Sequence, residues 1–179
     1  GSVYIYQFDG NSWNETKLLA SDGSSEGRFG SSVAISGDTV VVGASFSGDN
    51  GYESGSVYIY QFDGNSWNET KLLASDGSSG DRFGHSVAIS EDTVVVGAFL
   101  DYDNGSQSGS AYIYKFDGTN WNETKLLASD GEINEYFGQS VAISESTVIV
   151  GAHGDNDNGN FSGSAYVFKF NGSNWIESK

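Results

Sequence analysis

The chain repeats itself with a period of 54 residues, and this period limits the possible folds more than any other feature of the sequence. The segment that opens the chain returns three times, at 55–60, 109–114 and 163–168. The repeats are therefore 1–54 (repeat 1), 55–108 (repeat 2), 109–162 (repeat 3) and the start of a fourth at 163–179. A unit of this size buries little core alone, so we expect neighbouring units to stack.

Repeats 1 and 2 differ at only 10 of their 54 positions, which indicates recent duplication. Because the chain also begins at a repeat boundary without a methionine, we expect it to be a piece or mature fragment of a longer array. Eight of the ten differences lie in two loops that an up-and-down sheet places on the same face. That face is the predicted position of any ligand surface, although loops also simply tolerate change.

The segment around repeat 2 predicts four strands joined by short connections. They cover 86–90, 93–98, 111–116 and 121–129. The second strand is apolar and β-branched on both faces, which is typical of a fully buried strand. In the third, alternation places Tyr112, Tyr114 and Phe116 on one face, with Ala111 and Ile113 on the other. Each sheet is therefore expected to lie between two others.

These patterns predict an all-β protein of tandem four-stranded antiparallel blades of β-propeller type. The blades could be part of a larger propeller or could form an open, helical stack. A β-solenoid or a row of small sandwiches is the alternative, but solenoid coils are usually shorter than this repeat.

Charge and composition narrow the classes of partner. The net charge is −16, from 24 acidic and 8 basic residues, which disfavours nucleic acid and anionic membrane surfaces. Cysteine is absent, so disulfides and thiolate metal sites are excluded. No apolar run is long enough to span a membrane, and membrane insertion is not expected.

Recurring Phe-Gly and Val-Gly-Ala motifs give the chain a family resemblance. Phe-Gly at 29–30, 83–84 and 137–138 is followed each time by Val-Ala-Ile-Ser and then by Val-Gly-Ala. With the Gly-Ser-Ala-Tyr-Val-Phe and Lys-Leu-Leu-Ala-Ser-Asp-Gly segments, these residues resemble the FG-GAP repeats of integrin alpha subunits and of many bacterial surface proteins. The resemblance implies four-stranded propeller blades in extracellular or cell-surface proteins that bind or build rather than catalyse.

The chain departs from the integrin type in two respects. The integrin calcium loop lies between the first two strands, where this chain has only the two-residue turns 37–38, 91–92 and 145–146. That calcium site therefore does not carry over. Three blades and a fraction also cannot close a ring, because propellers have four to eight blades. Unpaired blade edges would favour self-association into a homo-oligomer or filament.

The loops between the second and third strands contain candidate ligands for Ca²⁺. Carboxylates two residues apart, followed by Asn and a turn glycine, are typical of half a calcium loop. The candidates are Asp101, Asp103 and Asn104, then Asp155, Asp157 and Asn158, and in repeat 1 only Asp49. The alternative is an Asx-rich polar turn that binds no metal.

Six Asn-X-Ser/Thr tripeptides are candidate glycosylation sites if the protein is secreted. They begin at Asn14, Asn68, Asn122, Asn104, Asn160 and Asn171, and the first three occupy one repeat position. The tripeptide is also common by chance in sequence rich in Asn and Ser.

A tryptophan follows the third strand in every repeat, at Trp13, Trp67, Trp121 and Trp175. These rings could form a platform for stacking sugars, although a repeated aromatic more often packs between blades.

No catalytic motif is present: the sequence has no cysteine nucleophile, nucleophile elbow, phosphate loop or zinc-protease helix motif. We therefore expect a non-catalytic extracellular structural or adhesive repeat module, a candidate building block of a filament. The alternative is a calcium-assisted propeller that binds carbohydrate or protein.

Overall fold

The computed structural model describes residues 1–179 and consists of strands, turns and loops. Strands β1 and β2 form a two-stranded half-sheet, β3–β6 form sheet 1, β7–β10 form sheet 2 and β11–β14 form sheet 3. It contains no helix of a kind that could cross a membrane. The strands are β1 Val3–Phe8, β2 Trp13–Leu18, β3 Ser32–Ser36, β4 Thr39–Ala44, β5 Ser56–Phe62, β6 Trp67–Leu72, β7 Ser86–Ser90, β8 Thr93–Ala98, β9 Ser110–Phe116, β10 Trp121–Leu126, β11 Ser140–Ser144, β12 Thr147–Ala152, β13 Ser164–Phe170 and β14 Trp175–Ser178.

Each four-stranded sheet is an antiparallel meander in which neighbours in sequence pair with each other. The four predicted strands of the repeat 2 segment are confirmed as β7–β10, except that β10 ends at Leu126 rather than at 129. The chain leaves the sheet there because the Ser129 backbone N–H donates to Glu177 of sheet 3. A sheet is also out of phase with the sequence repeat, since β8 lies in repeat 2 and its partner β9 lies in repeat 3.

The predicted burial of both faces is confirmed for sheets 1 and 2, each of which lies between two neighbours. Tyr112 and Tyr114 lie in the core between sheets 1 and 2, whereas Ala111 and Ile113 lie in the core between sheets 2 and 3. The buried strand β8 likewise divides its valines, with Val94 and Val96 on one side and Val95 on the other. A third core of the same kind lies between the half-sheet and sheet 1. Hydrophobic burial therefore stabilises the contacts between sheets, and no sheet has a core of its own.

The Phe-Gly motif stabilises the contact between successive sheets. Phe83 is 1% exposed and meets the ring of Tyr112 edge-on, with centroids 5.3 Å apart. A Cβ on Gly97, in the Val-Gly-Ala motif of β8, would lie 1.9 Å from the carbonyl oxygen of Gly138. Only glycine allows this close approach of two backbones, so both motifs serve packing between sheets.

The sheets stack in sequence order and do not close into a ring. The innermost strands β3, β7 and β11 lie side by side along the stack. At the half-sheet end, Tyr4 and Tyr6 are 46% and 55% exposed, whereas their counterparts Tyr58 and Tyr60 are buried. The same residue types are thus covered inside the stack and uncovered at its end.

Candidate functional site

The acidic loop residues meet on one face of the stack, which we call the loop face. It contains the loops that join the second strand of a sheet to the third, and the loops that lead from one sheet to the next. The two kinds of loop are joined by backbone contacts, such as the parallel bridge between Gly55 and Phe83. Residues that tie a sheet to its predecessor therefore lie beside the candidate metal ligands.

A lysine ammonium lies among the candidate carboxylates between sheets 1 and 2. Lys125 Nζ is 2.7 Å from Asp76 Oδ2 and 3.1 Å from Asp101 Oδ2, and it also contacts Asp103. The hydroxyl of Tyr112 lies 2.9 Å from both Asp76 and Asp101. Asp76 follows sheet 1, whereas the other groups belong to sheet 2, so this cluster is an ionic contact between sheets. We call it the second junction.

The same arrangement recurs at the first and third junctions. In the first, between the half-sheet and sheet 1, Lys71 Nζ lies 2.7 Å from Asp22 and 2.6 Å from Asp49. In the third, between sheets 2 and 3, Lys179 Nζ lies 2.8 Å from both Asp130 and Asp155 and also contacts Asp157. Burial alone would lower the pKa of Lys71, but hydrogen bonds with Asp22 and Asp49 raise it above its usual range.

The structure brings five of the seven candidate metal ligands, the aspartates, to these ammonium groups. Asn104 instead donates from its side-chain amide to the carbonyl oxygen of Ala128, at 3.1 Å. The backbone N–H of Asn158 donates to Ser162 Oγ. No group of three or more His, Asp or Glu side chains is arranged to hold a metal ion. Calcium binding stays a prediction, and any calcium ion would have to compete with a lysine for the same oxygens.

A buried acid adds to two of the junctions. Asp81 is 4% exposed, and burial together with the nearby Asp101 and Asp76 carboxylates raises its pKa to about 6. Glu135 holds the same repeat position at the third junction, where burial also raises its pKa. The first junction has Gly27 at this position. The second and third junctions therefore contain four carboxylates to one lysine, whereas the first contains two.

A second polar contact joins successive sheets close to each junction. Ser75 follows sheet 1 and donates from its hydroxyl and its backbone N–H to Glu123 of sheet 2, at 2.6 and 3.1 Å. Tyr114 donates to the same carboxylate at 2.7 Å. The serine–glutamate contact recurs at Ser21 with Glu69 and at Ser129 with Glu177.

Sequence reasoning missed these inter-sheet contacts. Lys71, Lys125 and Lys179, and the glutamate two residues before each, recur at the 54-residue period. That recurrence was an available signal in the sequence. A lysine and a glutamate that recur together at the 54-residue period indicate a contact that is made in every repeat, rather than a solvated surface.

All six candidate glycosylation asparagines are exposed. Three of them, Asn14, Asn68 and Asn122, donate their side-chain amides to the aspartate that opens the preceding turn, at 2.9–3.0 Å. The Asn171 side chain accepts hydrogen bonds from the backbone of its own turn. Glycosylation of these residues stays a prediction, and at the three turn positions it would replace a hydrogen bond.

The recurring tryptophans pack against phenylalanine across the hairpin. The centroids of Trp67 and Phe62 are 5.2 Å apart, and those of Trp175 and Phe170 are 5.3 Å apart. Trp67, Trp121 and Trp175 also contact the cores between sheets. Trp13 has no preceding sheet to contact and is 67% exposed. Neighbouring side chains therefore cover part of the ring surface of Trp67, Trp121 and Trp175.

The sequence model of the FG-GAP repeat family matches the chain at residues 13–60, 67–114 and 121–168. The chain belongs to the FG-GAP repeat family. Each matched segment starts at a tryptophan of a fourth strand and ends in the third strand of the following sheet, so it contains the aspartates of one junction but ends before its lysine. No curated protein matches the chain. FG-GAP repeats are typical of extracellular or surface proteins and often occur in adhesion or binding proteins.

Proposed function

We propose that this FG-GAP chain is a non-catalytic structural and adhesive repeat module of an extracellular or surface protein. The observation that carries the proposal is that every sheet is joined to the next by the same set of contacts. Each contact between neighbouring sheets combines an apolar core, a lysine–aspartate junction and a serine–glutamate contact. An array joined in this way extends by adding identical units and presents a rigid, acidic surface.

The uncovered end of the stack supports self-association. Tyr4, Tyr6 and Trp13 are exposed on the half-sheet, whereas their counterparts in sheet 1 contact the preceding sheet. At the other end, Ile149 and Ile176 of sheet 3 are 44% and 53% exposed. These two apolar faces are of the kinds that meet inside the stack. We therefore expect each to accept another blade, from neighbouring repeats or from a second copy of the chain, and so to build a homo-oligomer or filament.

The acidic loops support a structural function more than a calcium-assisted one. Asp101 and Asp155 are buried and already hold an ammonium group together with a tyrosine hydroxyl. Replacing that ammonium with Ca²⁺ would require the lysine to leave its site and three aspartates to reorganise. The net charge of −16 also opposes association with nucleic acid or anionic lipid.

Light scattering and negative-stain electron microscopy of the purified chain, with Ca²⁺ and with a chelator, test this proposal. We expect assembly that increases with protein concentration equally in both conditions. The double variant Tyr4→Ser, Tyr6→Ser should reduce it, because it removes exposed rings from the half-sheet without opening a core. Tyr102→Ser removes a tyrosine that is 54% exposed on the loop face and is the matched control.

A monomer at every concentration would contradict self-association. Assembly that appears only with Ca²⁺ would instead favour the calcium-assisted alternative.

A further inference from the structure

An open cleft of about 660 Å³ lies between sheets 2 and 3, at the end of the sheets that carries the hairpin turns rather than the loop face. One wall consists of β9 and β10 of sheet 2, which contribute Lys115 and Asn122. The turns of sheet 3 form the other wall, with Phe170, Asn174 and Trp175. The volume lies within the range of small-ligand sites in proteins, about 300–1,000 Å³.

Hydrogen bonds hold the cleft in shape. The Phe170 backbone N–H donates to the Ser146 carbonyl at 2.9 Å, and the Asn171 side chain accepts from the Asn174 backbone N–H at 2.8 Å. Across the cleft, the Glu145 backbone N–H donates to Ser90 Oγ at 3.2 Å, which joins sheet 3 to sheet 2. These bonds fix the backbone of the turns that carry Phe170, Asn174 and Trp175 before any ligand arrives, which lowers the entropic cost of binding.

The lining has the chemistry that recognises a sugar ring. The Trp175 and Phe170 rings are partly uncovered, so an aromatic face is available for the C–H groups of a pyranose. Lys115 forms an ion pair with Asp92. These two side chains and the amides of Asn122 and Asn174 can donate hydrogen bonds to sugar hydroxyls and accept hydrogen bonds from them. Asp92 and the acidic surface as a whole disfavour an anionic ligand.

We propose that this cleft is a carbohydrate-binding site, in which a neutral saccharide stacks on Trp175 and hydrogen-bonds to Lys115 and Asp92. The site lies at the opposite end of the sheets from the junction aspartates, so its binding does not require Ca²⁺. Between sheets 1 and 2, Gln61 holds the repeat position of Lys115, so the ion pair has no counterpart there. Lys115 therefore distinguishes the cleft between sheets 2 and 3 from the equivalent surface between sheets 1 and 2.

Nuclear magnetic resonance of the four tryptophan indole N–H groups tests the site directly. The probes are cellotriose, mannotriose and N-acetylchitotriose, and the protein is unglycosylated. Each probe is titrated up to about 10 mM, a concentration that detects millimolar affinity. With at least one probe, the Trp175 signal should move and saturate. The Trp13 signal should stay, because this exposed ring holds the same repeat position but has no facing sheet. If Trp175 responds to none of the three, or Trp13 moves as much, the proposal is overturned.

A substitution taken from the chain itself keeps the test independent of folding. Lys115→Gln introduces the residue of repeat 1 at a side chain that is 58% exposed. It should weaken binding about fivefold, the effect of losing one hydrogen bond. Lys169→Gln changes the same repeat position in sheet 3, which has no following sheet, and should leave affinity unchanged. Trp175→Ala also removes the reporting signal, so its affinity is measured by isothermal titration calorimetry, in which this variant should show no binding. Equal affinities for Lys115→Gln and Lys169→Gln would assign any binding to another surface.

Discussion

The first and second junctions have the same frame but hold different charges. In the first, Lys71 meets two aspartates, and the hydroxyls of Ser47 and Ser56 donate to Asp49. In the second, Lys125 meets three aspartates, and the buried Asp81 lies near them. The strands around the two junctions are nearly identical in sequence, so a few loop residues decide how much unneutralised charge a junction contains.

An aromatic contact lies beside the first junction and involves arginines from both segments that link the sheets. The ring of Phe46 lies between the guanidinium groups of Arg28 and Arg82, 3.5 and 3.4 Å from its centroid. Arg82 also forms an ion pair with Glu53. Repeat 2 has Leu100 at the position of Phe46, which offers no π face to a cation. The loop face therefore holds neighbouring sheets together by two different chemistries on one backbone.

The largest expected effect comes from the Phe-Gly phenylalanine. Phe83→Ala should reduce the free energy of unfolding by about 4 kcal/mol, because it leaves a cavity between two complete sheets. Phe29→Ala should cost less, about 3 kcal/mol, because the half-sheet covers that ring less fully. Urea unfolding followed by tryptophan fluorescence measures both variants. Equal losses would show that a half-sheet packs as well as a full one.

The next largest expected effect comes from removing the lysine ammonium, which should destabilise the second junction more than the first. Lys125→Met should cost about 3 kcal/mol, because it leaves the buried Asp101 and its neighbours without a counter-charge. Lys71→Met should cost about 1 kcal/mol, because Asp22 and Asp49 are more exposed. The same urea experiment compares them. A Lys71→Met loss as large as that of Lys125→Met would refute the dependence on buried charge.

The smallest expected effect is a pH dependence that the second junction has and the first junction lacks. The pKa of Asp81 is raised from 3.8 to about 6, so the folded state holds this proton more tightly than the unfolded chain does. The stability from protonation is fully present below about pH 4 and is lost as pH rises through about 6, a total change of about 3 kcal/mol, of which about 1.4 kcal/mol falls between about pH 5 and pH 7.5. Unfolding free energies of the wild type and Asp81→Asn, compared between about pH 5 and pH 7.5, isolate this contribution.

Glu91→Gln, which changes an exposed carboxyl at the turn end of sheet 2, is the control for that measurement. It should leave the pH dependence of the wild type intact. If Asp81→Asn retains the full pH dependence, the buried acid lies elsewhere, and Glu135 of the third junction becomes the next residue to test.

Much of the fold follows from local pattern. The two-residue alternation of 111–116 predicts which side of sheet 2 each residue faces, and the β-branched run at 93–98 predicts a strand buried on both sides. Both predictions are confirmed because side-chain direction in a strand depends only on local geometry. The position of Phe83 beside Tyr112 did not follow from the pattern, since that contact joins residues of two different sheets.

The sequence predicts which aspartates share a loop at the candidate site, but it does not predict that a lysine neutralises them. Asp101 and Asp103 were correctly placed in one acidic loop. Their neighbour Lys125 lies on a strand 22 residues beyond Asp103, and Asp76 comes from the preceding sheet. A net carboxylate count cannot reveal such a lysine, because charge neutralisation depends on distances in the folded stack. Nor does the sequence reveal that Asp81 is buried beside these groups.

The constant 54-residue spacing of equivalent strands has a genetic consequence. Strands β4 and β5 pair across the boundary between repeats 1 and 2, as β8 and β9 do across the next. Each sheet is thus assembled from halves of two successive repeats. Loss or gain of any 54 consecutive residues by recombination would rejoin halves whose strands pair in the same register, wherever the exchange occurs. Arrays of this kind can change length in steps of one sheet without evolving a new interface.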